Sequence, residues 1–236
     1  MDQKNAIEAY NHYQDKDPFP QIKSALLNSA DVADYVNKIG MIWPFEEKFL
    51  KGITLGLRVG ETAIYWNSKD EKIQVNIKEQ GHFTLKSNSI AYVQILEEIR
   101  LPAYIIVRFN LRVTNAYKGI LLGTGPIIDP GFRGRLSIPL HNLTNNDYHF
   151  EYGESLIEME FTKVSPHKKW LDKTPDCDHE RISDYKKWEP TIGDPDTEKR
   201  NINTYLFKAN QGNSIQSSLP PLVDETKQVV EKVEKI

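Results

Sequence analysis

From residue 53 onward, apolar and polar residues alternate with a period of two, and this pattern restricts the fold more than any other feature of the sequence. The short alternating or apolar runs are ITLGLRVGETAIYW (53–66), KIQVNIKE (72–79), GHFTLKS (81–87), SIAYVQILEEI (89–99), YIIVRFNLRVT (104–114), GRLSIPLHN (134–142) and SLIEMEFTKV (155–164). Gly, Asn, Asp and Pro separate the runs, as they do between consecutive β-strands. Because no helix-length spacers lie between them, the pattern predicts a mostly β sandwich, jelly roll or barrel and argues against a nucleotide-binding α/β fold.

The residues before these runs have a helical pattern. Residues 1–40 are predicted to form an N-terminal helical segment, with a first short helix at 3–15. A second short helix follows, for which Ser29 or Asp31 is the predicted N-cap, and Gly40 ends the segment.

Three further regions follow in the sequence. Residues 41–165 are assigned to the β domain. Residues 166–221 are charged and contain several prolines, which predicts an irregular extension that ends in a flexible linker. Residues 222–236 are predicted to form an amphipathic helix that packs on this chain or on a partner protein. Its apolar stripe consists of Val223, Thr226, Val230 and Val233.

Composition excludes several classes of protein. The chain has 236 residues, a formal net charge of −3 and one cysteine. A slightly acidic chain has no general attraction to nucleic acid or to an anionic membrane, and a single cysteine excludes an internal disulfide framework. The opening residues lack the apolar core of a signal peptide, and no run is long enough to cross a bilayer. We therefore expect a cytoplasmic protein.

The sequence contains no motif for a phosphate-binding loop or a metal centre. Neither GxGxxG nor GxxxxGK[ST] occurs. The spacing of His141, His149, His167 and His179 matches no metal motif, and only Cys177 offers a thiolate. We therefore expect no metal site built from protein ligands.

Four motifs occur in a fixed order within the β region. They are IWPFEEKFLKGITLGLRVG (42–60), LEEIRLPAYIIVRF (96–109), IIDPGFRGRLSIPLHN (127–142) and YGESLIEMEF (152–161). Together they resemble the motifs of the dCTP deaminase and trimeric dUTPase superfamily. The resemblance implies a distorted jelly-roll or β-barrel of the dUTPase type, a homotrimer with ligand sites between subunits, and a pyrimidine deoxynucleotide as the ligand.

Several positions depart from the motifs of this superfamily. The deaminases activate the attacking water with a Glu ten residues after the motif Asp, and Pro139 stands at that position without an ionisable group. The Gly-Arg-Ser-Ser motif aligns with LRVT, which keeps Arg112 but has Val113 and Thr114 in place of the two serines. A Gln that holds the phosphates corresponds to Glu158, whose carboxylate repels them unless a metal ion lies between.

The remaining motif residues define a candidate ligand site. By resemblance to dUTPases, Asp129 contacts the deoxyribose and positions the attacking water, and Phe132 stacks on the sugar. The Asp-Pro-Gly sequence favours the alternative in which Asp129 is a turn residue that hydrogen-bonds to the backbone, and Arg112 either binds a phosphate or forms a structural salt bridge at a subunit interface. Asn142 is assigned either to the ligand or to backbone groups at the strand end. The candidate ligand-binding residues are thus Arg112, Thr114, Asp129, Phe132 and Asn142, with Asp129 as the candidate catalytic residue.

Three interpretations of function follow. The first is a superfamily protein that binds a pyrimidine deoxynucleotide without deaminating it. The second is a nucleotide pyrophosphatase of the dUTPase type that uses Asp129, with Mg²⁺ on the phosphates, although the Arg-Gly-x-x-Gly-Phe-Gly closing motif of such enzymes is missing. The third is an oligomeric scaffold that recruits a partner through its C-terminal helix. Substitutions at positions 113, 139 and 158 favour the first interpretation.

Overall fold

The architecture is mostly β, as the alternating pattern predicts. The computed structural model of the chain describes residues 1–123, 127–165 and 202–217 and the single positions Thr226, Val230 and Val233. Most of the predicted charged extension and most of the predicted C-terminal helix lie outside the described residues.

Thirteen strands occur in the described part of the chain. They are β1 (Ile42–Trp43), β2 (Thr54–Trp66), β3 (Lys72–Asn76), β4 (His82–Leu85), β5 (Ile90–Ile95), β6 (Glu98–Arg100), β7 (Ile105–Leu111), β8 (Ile120–Leu122), β9 (Ile127–Ile128), β10 (Arg133–Gly134), β11 (Ser137–Asn142), β12 (Tyr148–Glu151) and β13 (Ser155–Lys163). The largest sheet has the order β8-β11-β5-β2-β13-β7-β9, with β3 paired to β2 beside this path. Two small sheets, β1-β6-β10 and β12-β4, complete the curled layer.

The core lies on one face of the curled sheet. Along β5, β7 and β11 the side chains alternate between buried and more exposed positions, as expected for strands with a single buried face. The long strand β2 pairs with β13, β5 and β3 and so joins the two halves of the largest sheet. Aromatic and aliphatic side chains from all of these strands pack together, among them Phe161 and Ile157 of β13, both fully buried.

Two helices form at the N-terminus, as predicted. Helix α1 spans Gln3–Tyr13 and helix α2 spans Ser29–Ile39. The N-cap of α2 is Asn28, whose side chain accepts hydrogen bonds from the backbone N–H groups of Ala30 and Asp31. The prediction of Ser29 or Asp31 as the N-cap was therefore wrong, by one residue or by three. Gly40 ends α2 at φ 67°, and a Cβ there would lie 2.4 Å from the carbonyl oxygen of Ala6 in α1. Gly40 therefore serves both as a left-handed cap and as the contact point between the helices.

The N-terminal segment is joined to the β domain by a buried polar contact. The Lys163 ammonium at the end of β13 lies 2.5 Å from the Asp17 carboxylate. The same carboxylate accepts a 2.9 Å hydrogen bond from the Tyr35 hydroxyl of α2. Burial, together with the negative charge of Asp17, raises the pKa of Tyr35. The hydroxyl thus stays protonated and remains a donor to Asp17.

Two segments predicted as strand are helical instead. Residues Ile77–Gln80, at the end of the predicted run 72–79, form the one-turn helix α3. Asn76 initiates this turn by accepting a hydrogen bond from the Glu79 N–H. The strand predicted to reach Thr114 ends at Leu111, and Val113–Tyr117 form the short helix α4. Both differences arise because local capping and turn contacts override the alternating pattern at strand ends.

Helix α5 (Ile202–Asn210) lies within the region predicted to be irregular. The residues after it, predicted as part of a flexible linker, contact the turn between β2 and β3. Ser214 donates a 2.5 Å hydrogen bond to the Asp70 carboxylate, and Gln216 donates one of 2.6 Å to the Asn67 carbonyl. Thr226, Val230 and Val233 are helical and exposed. Among the described residues, no helix has both the length and the apolar character that a membrane span requires.

Candidate functional site

Arg112 stands where β7 turns into α4. Its carbonyl accepts hydrogen bonds from the N–H groups of Asn115 and Ala116, and its own N–H donates to the Leu156 carbonyl at 3.2 Å. These contacts fix the backbone, while the side chain is about one-third exposed, at 35%. A guanidinium held in this way is available to an anion from solvent or from a second copy of the chain.

The residues that follow Arg112 face outward. Val113, Thr114 and Tyr117 are exposed on α4, with Val113 at 59% and Tyr117 at 87% of full exposure. Thr114 keeps the hydroxyl that the motif requires, and it is the second residue of α4, two positions after Arg112. Exposed apolar side chains beside a polar site are typical of a surface that becomes covered on assembly.

Strand register places Glu158 beside Arg112. In the β13–β7 ladder Glu158 lies opposite Asn110, two residues before Arg112. The Glu158 carboxylate forms a close ion pair with the Lys51 ammonium, and its same oxygen is 3.8 Å from the Arg112 Nε. Arg112 therefore has an acidic neighbour within its own chain, whereas the predicted salt bridge was one at a subunit interface.

The hairpin that carries Asp129 and Phe132 adopts the predicted turn. The Phe132 N–H donates to the Asp129 carbonyl at 3.2 Å, and Gly131 takes the positive φ of 89° that a glycine tolerates. Asp129 is exposed, whereas Phe132 is half-buried against the core. The backbone of Leu101 pairs with the turn through its N–H and its carbonyl, which holds the hairpin in place.

Asp129 and Arg112 lie at opposite ends of β7. Strand β9 ends at Ile128, which pairs with Val107, so Asp129 lies beyond that pair, toward the start of β7. Arg112 is five residues further along from Val107, which corresponds to roughly 17 Å at the rise of a β-strand. One copy of the chain therefore does not bring these two candidate residues into a single site.

Pro139 lies in β11, opposite Tyr92 of β5. Its carbonyl accepts a 2.9 Å hydrogen bond from the Gly123 N–H, immediately after β8 ends at Leu122. In an antiparallel ladder the N–H and carbonyl of one residue face the same neighbour, so the N–H that proline lacks would have faced Gly123, just beyond the last residue of β8. The sheet tolerates proline here for that reason.

Asn142 is fully buried, and its amide joins three segments of chain. The Nδ2 group donates to the carbonyls of Leu85 (3.2 Å), Lys86 (3.1 Å) and Asn146 (2.8 Å). Its Oδ1 accepts from the N–H and the hydroxyl of Thr144, at 3.0 and 2.8 Å. This is the interpretation in which Asn142 satisfies backbone groups at the strand end, and it leaves the amide no capacity for a ligand.

Sequence reasoning missed several polar residues around Arg112. Burial raises the pKa of the Glu154 carboxyl, and the positive charges of Lys118 and Arg112 offset only part of this increase. The Lys118 ammonium is 3.3 Å from the Tyr148 hydroxyl, which donates a 3.2 Å hydrogen bond to Asn115. Glu154 lies within the motif 152–161 but was not among the candidates, whereas Lys118 and Tyr148 lie outside the four motifs, and strand pairing brings Tyr148 to α4. Within the described ranges, no group of three or more His, Cys, Asp or Glu is arranged to hold a metal ion.

Known proteins share both sequence and fold with this chain. The dCTP deaminase of Thermococcus kodakarensis is 33% identical over 129 residues, which are 55% of this chain and 79% of that protein. A probable deoxyuridine 5'-triphosphate nucleotidohydrolase of Sulfolobus islandicus rod-shaped virus 1 is 32% identical over 118 residues, or 49% of this chain and 70% of that protein.

The fold is also seen in a solved structure, the 2'-deoxycytidine 5'-triphosphate deaminase of Agrobacterium tumefaciens. It superposes with a TM-score of 0.53 at 14% identity, and the match covers 62% of this chain but only 49% of that chain. At this identity the likeness supports the mostly β fold alone. The profile of the dCTP deaminase-like family matches residues 26–164, more than half of the chain. The superfamily resemblance is thereby confirmed, and the chain belongs to the dCTP deaminase-like family.

Proposed function

We propose that this protein binds a pyrimidine deoxynucleotide and does not deaminate it by the mechanism of its family. The observation that carries the proposal is the retained Arg112, fixed at the end of β7 and partly exposed, in a chain that has Pro139 at the position of the catalytic base. An exposed guanidinium is suited to a phosphate group. A proline ring supplies no group that can take a proton from water.

The nucleotide is proposed to bind between copies of the chain in a homotrimer. Asp129 and Arg112 lie too far apart to meet within one copy, so a ligand that contacts both needs a second subunit. Exposed apolar side chains near both residues support assembly. They are Val113, Tyr117, Leu121 and Ile127. We place the protein in the cytoplasm, in keeping with its single cysteine.

A second candidate function is nucleotide pyrophosphatase activity of the dUTPase type. It is favoured by the intact turn that presents Asp129 as an exposed carboxylate, with Phe132 three residues later. Mg²⁺ would enter with the nucleotide, because this ion is usually held by phosphates together with one or two carboxylates. Asp129 is the residue that would orient the attacking water.

Calorimetry and product analysis test the proposal. The purified protein is titrated with dCTP and dUTP in the presence of Mg²⁺, and nucleotide products are separated by chromatography. We expect binding without conversion of dCTP to dUTP, and Arg112→Ala should weaken binding at least about tenfold. Arg108→Ala, which removes an exposed arginine from β7, the strand that precedes Arg112, is the matched control and should bind like the wild type.

Each outcome decides between the interpretations. Deamination of dCTP by the wild-type protein, or unchanged affinity of Arg112→Ala, contradicts the proposed function. Conversion of dUTP to dUMP that is lost in Asp129→Ala establishes the pyrophosphatase instead. If the protein neither binds nor converts a nucleotide, the third interpretation is favoured, namely a scaffold that binds a protein partner through its C-terminal helix. Light scattering that finds a monomer at binding concentrations contradicts the trimer.

A further inference from the structure

Three charged side chains, Lys51, Arg112 and Glu158, meet at the same end of β7 and β13, and we call them the charge triad. They come from distant parts of the sequence: Lys51 precedes β2, Arg112 follows β7 and Glu158 lies within β13. All three are partly exposed, with side-chain exposures of 57%, 35% and 27% respectively. The triad therefore borders solvent at the place where the proposed function puts a phosphate.

The two cations of the triad do not share the carboxylate equally. The Lys51 ammonium donates a close hydrogen bond to Glu158 Oε1. The Arg112 Nε is 3.8 Å from the same oxygen, which is too far for an N–H···O hydrogen bond. Glu158 is thus committed to Lys51, and the donors of the Arg112 guanidinium are not consumed by this carboxylate.

Backbone contacts hold Lys51 in this position. Its N–H donates to the Thr54 carbonyl at 2.8 Å, and the neighbouring Gly52 carbonyl accepts a 3.0 Å hydrogen bond from the Ser29 N–H of α2. Leu50 and Leu55 form an isolated β-bridge around the same turn. The lysine is therefore presented to Glu158 by a closed turn rather than by a free loop.

From this geometry we infer that Lys51 is a positioning residue for the anion site. It neutralises Glu158 and thereby keeps the Arg112 guanidinium available to a phosphate. The inference rests on the proposed function, since it assumes that Arg112 receives the phosphate of the nucleotide. It explains how the site accommodates an acidic side chain at a phosphate position: the carboxylate is paired within the chain, so its repulsion of an anion is largely cancelled at short range.

Without Lys51, the same carboxylate has two harmful effects on anion binding. It attracts Arg112, whose Nε already lies 3.8 Å away, and it repels the incoming phosphate. For one unpaired charge at this range in a partly exposed site, the loss of affinity is about tenfold. Removing the carboxylate as well eliminates both effects, so the second substitution is expected to rescue the first.

A double-mutant cycle with dUTP and Mg²⁺ as the probe tests this inference. We expect Lys51→Met to bind about tenfold more weakly than the wild type, and Glu158→Gln to bind at least as tightly. The double variant K51M/E158Q should bind within about threefold of Glu158→Gln. Lys48→Met, which removes a more exposed lysine from the same segment, is the control and should leave affinity unchanged. Thermal unfolding of each variant verifies that it is folded.

Two results overturn the role of Lys51 specifically. If Lys51→Met binds dUTP with wild-type affinity, Lys51 has no positioning role. The same conclusion follows if the double variant binds as weakly as Lys51→Met, because Lys51 would then contact the phosphate directly or support the fold. Arg112→Ala separates this failure from that of the proposed function. If Arg112→Ala loses binding while Lys51→Met does not, only the role of Lys51 is wrong; if Arg112→Ala binds normally or the wild type binds no nucleotide, the proposed function fails and this inference fails with it.

Discussion

Replacing Asn142 by alanine tests whether this residue holds the fold together or contacts a ligand. In the wild type its amide makes hydrogen bonds to three carbonyls and to the N–H and hydroxyl of Thr144. Alanine leaves the buried Leu85 carbonyl, among others, without this donor. Each buried group that loses its partner costs about 1–3 kcal/mol. The groups of residues 144 to 146 are more exposed and regain water, so we expect a total loss of about 2–4 kcal/mol in the free energy of unfolding.

Urea unfolding followed by tryptophan fluorescence measures this loss. All variants are compared at one protein concentration, because assembly makes stability depend on concentration. Asn145→Ala is the matched control: it removes an exposed asparagine from the same loop and should change the free energy of unfolding by less than about 0.5 kcal/mol. A loss below about 1 kcal/mol in Asn142→Ala refutes the structural account. Weakened nucleotide binding with unchanged stability would return Asn142 to the ligand site.

Further predictions concern the cap of α2 and the ion pairs beside β2. Gly40→Ala should lower the free energy of unfolding by at least about 2 kcal/mol, measured in urea, because φ is 67° and a Cβ would meet the backbone of α1. Glu97→Ala should cost about 1.5–3 kcal/mol, because the buried Arg58 loses the carboxylate that its Nε contacts at 2.6 Å but keeps its ion pair with Glu46. Recovery of most of this loss in R58M/E97L would support that cause, and no recovery would contradict it. Hydrogen bonding to Lys48, and to a lesser extent to Arg58, lowers the pKa of Glu46 in the folded protein. The ion pairs of Glu46 therefore stabilise the fold at any pH above the pKa of this carboxyl in the unfolded chain. This stabilisation is lost as the pH falls through the lower pKa of the folded state. The melting temperatures of wild type and Glu46→Gln should therefore converge once the pH has fallen through the lowered pKa of Glu46, and a difference that persists at still lower pH would contradict this assignment.

Local features of the sequence were sufficient for most of the secondary structure. The period of two located the long strands because a strand with one buried face imposes that period on its own residues, whatever it pairs with. Gly40 was identified as a helix end for a similarly local reason, since few other residues accept a left-handed cap. The predictions went wrong at the strand ends around Ile77 and Val113, where a turn contact outweighs the alternating pattern.

The family motifs identified the candidate residues but not their arrangement. The sequence named Arg112, Asp129 and Asn142 as candidates for a single ligand site. Strand register puts Arg112 and Asp129 at opposite ends of β7, and burial turns the Asn142 amide toward carbonyls of its own chain. Register and burial depend on which strands pair, and a motif contains no information about that pairing.

The sequence by itself determined a mostly β fold and its superfamily, and it predicts that the deaminase base is missing at Pro139. Each of these properties belongs to a residue or to a short run, so it can be read without knowing what lies beside it. Only the tertiary structure showed that Lys51 pairs with Glu158, 107 residues away, at the side of Arg112. The energy of a charge depends on distance and exposure, and these are set by the order of the strands in the sheet.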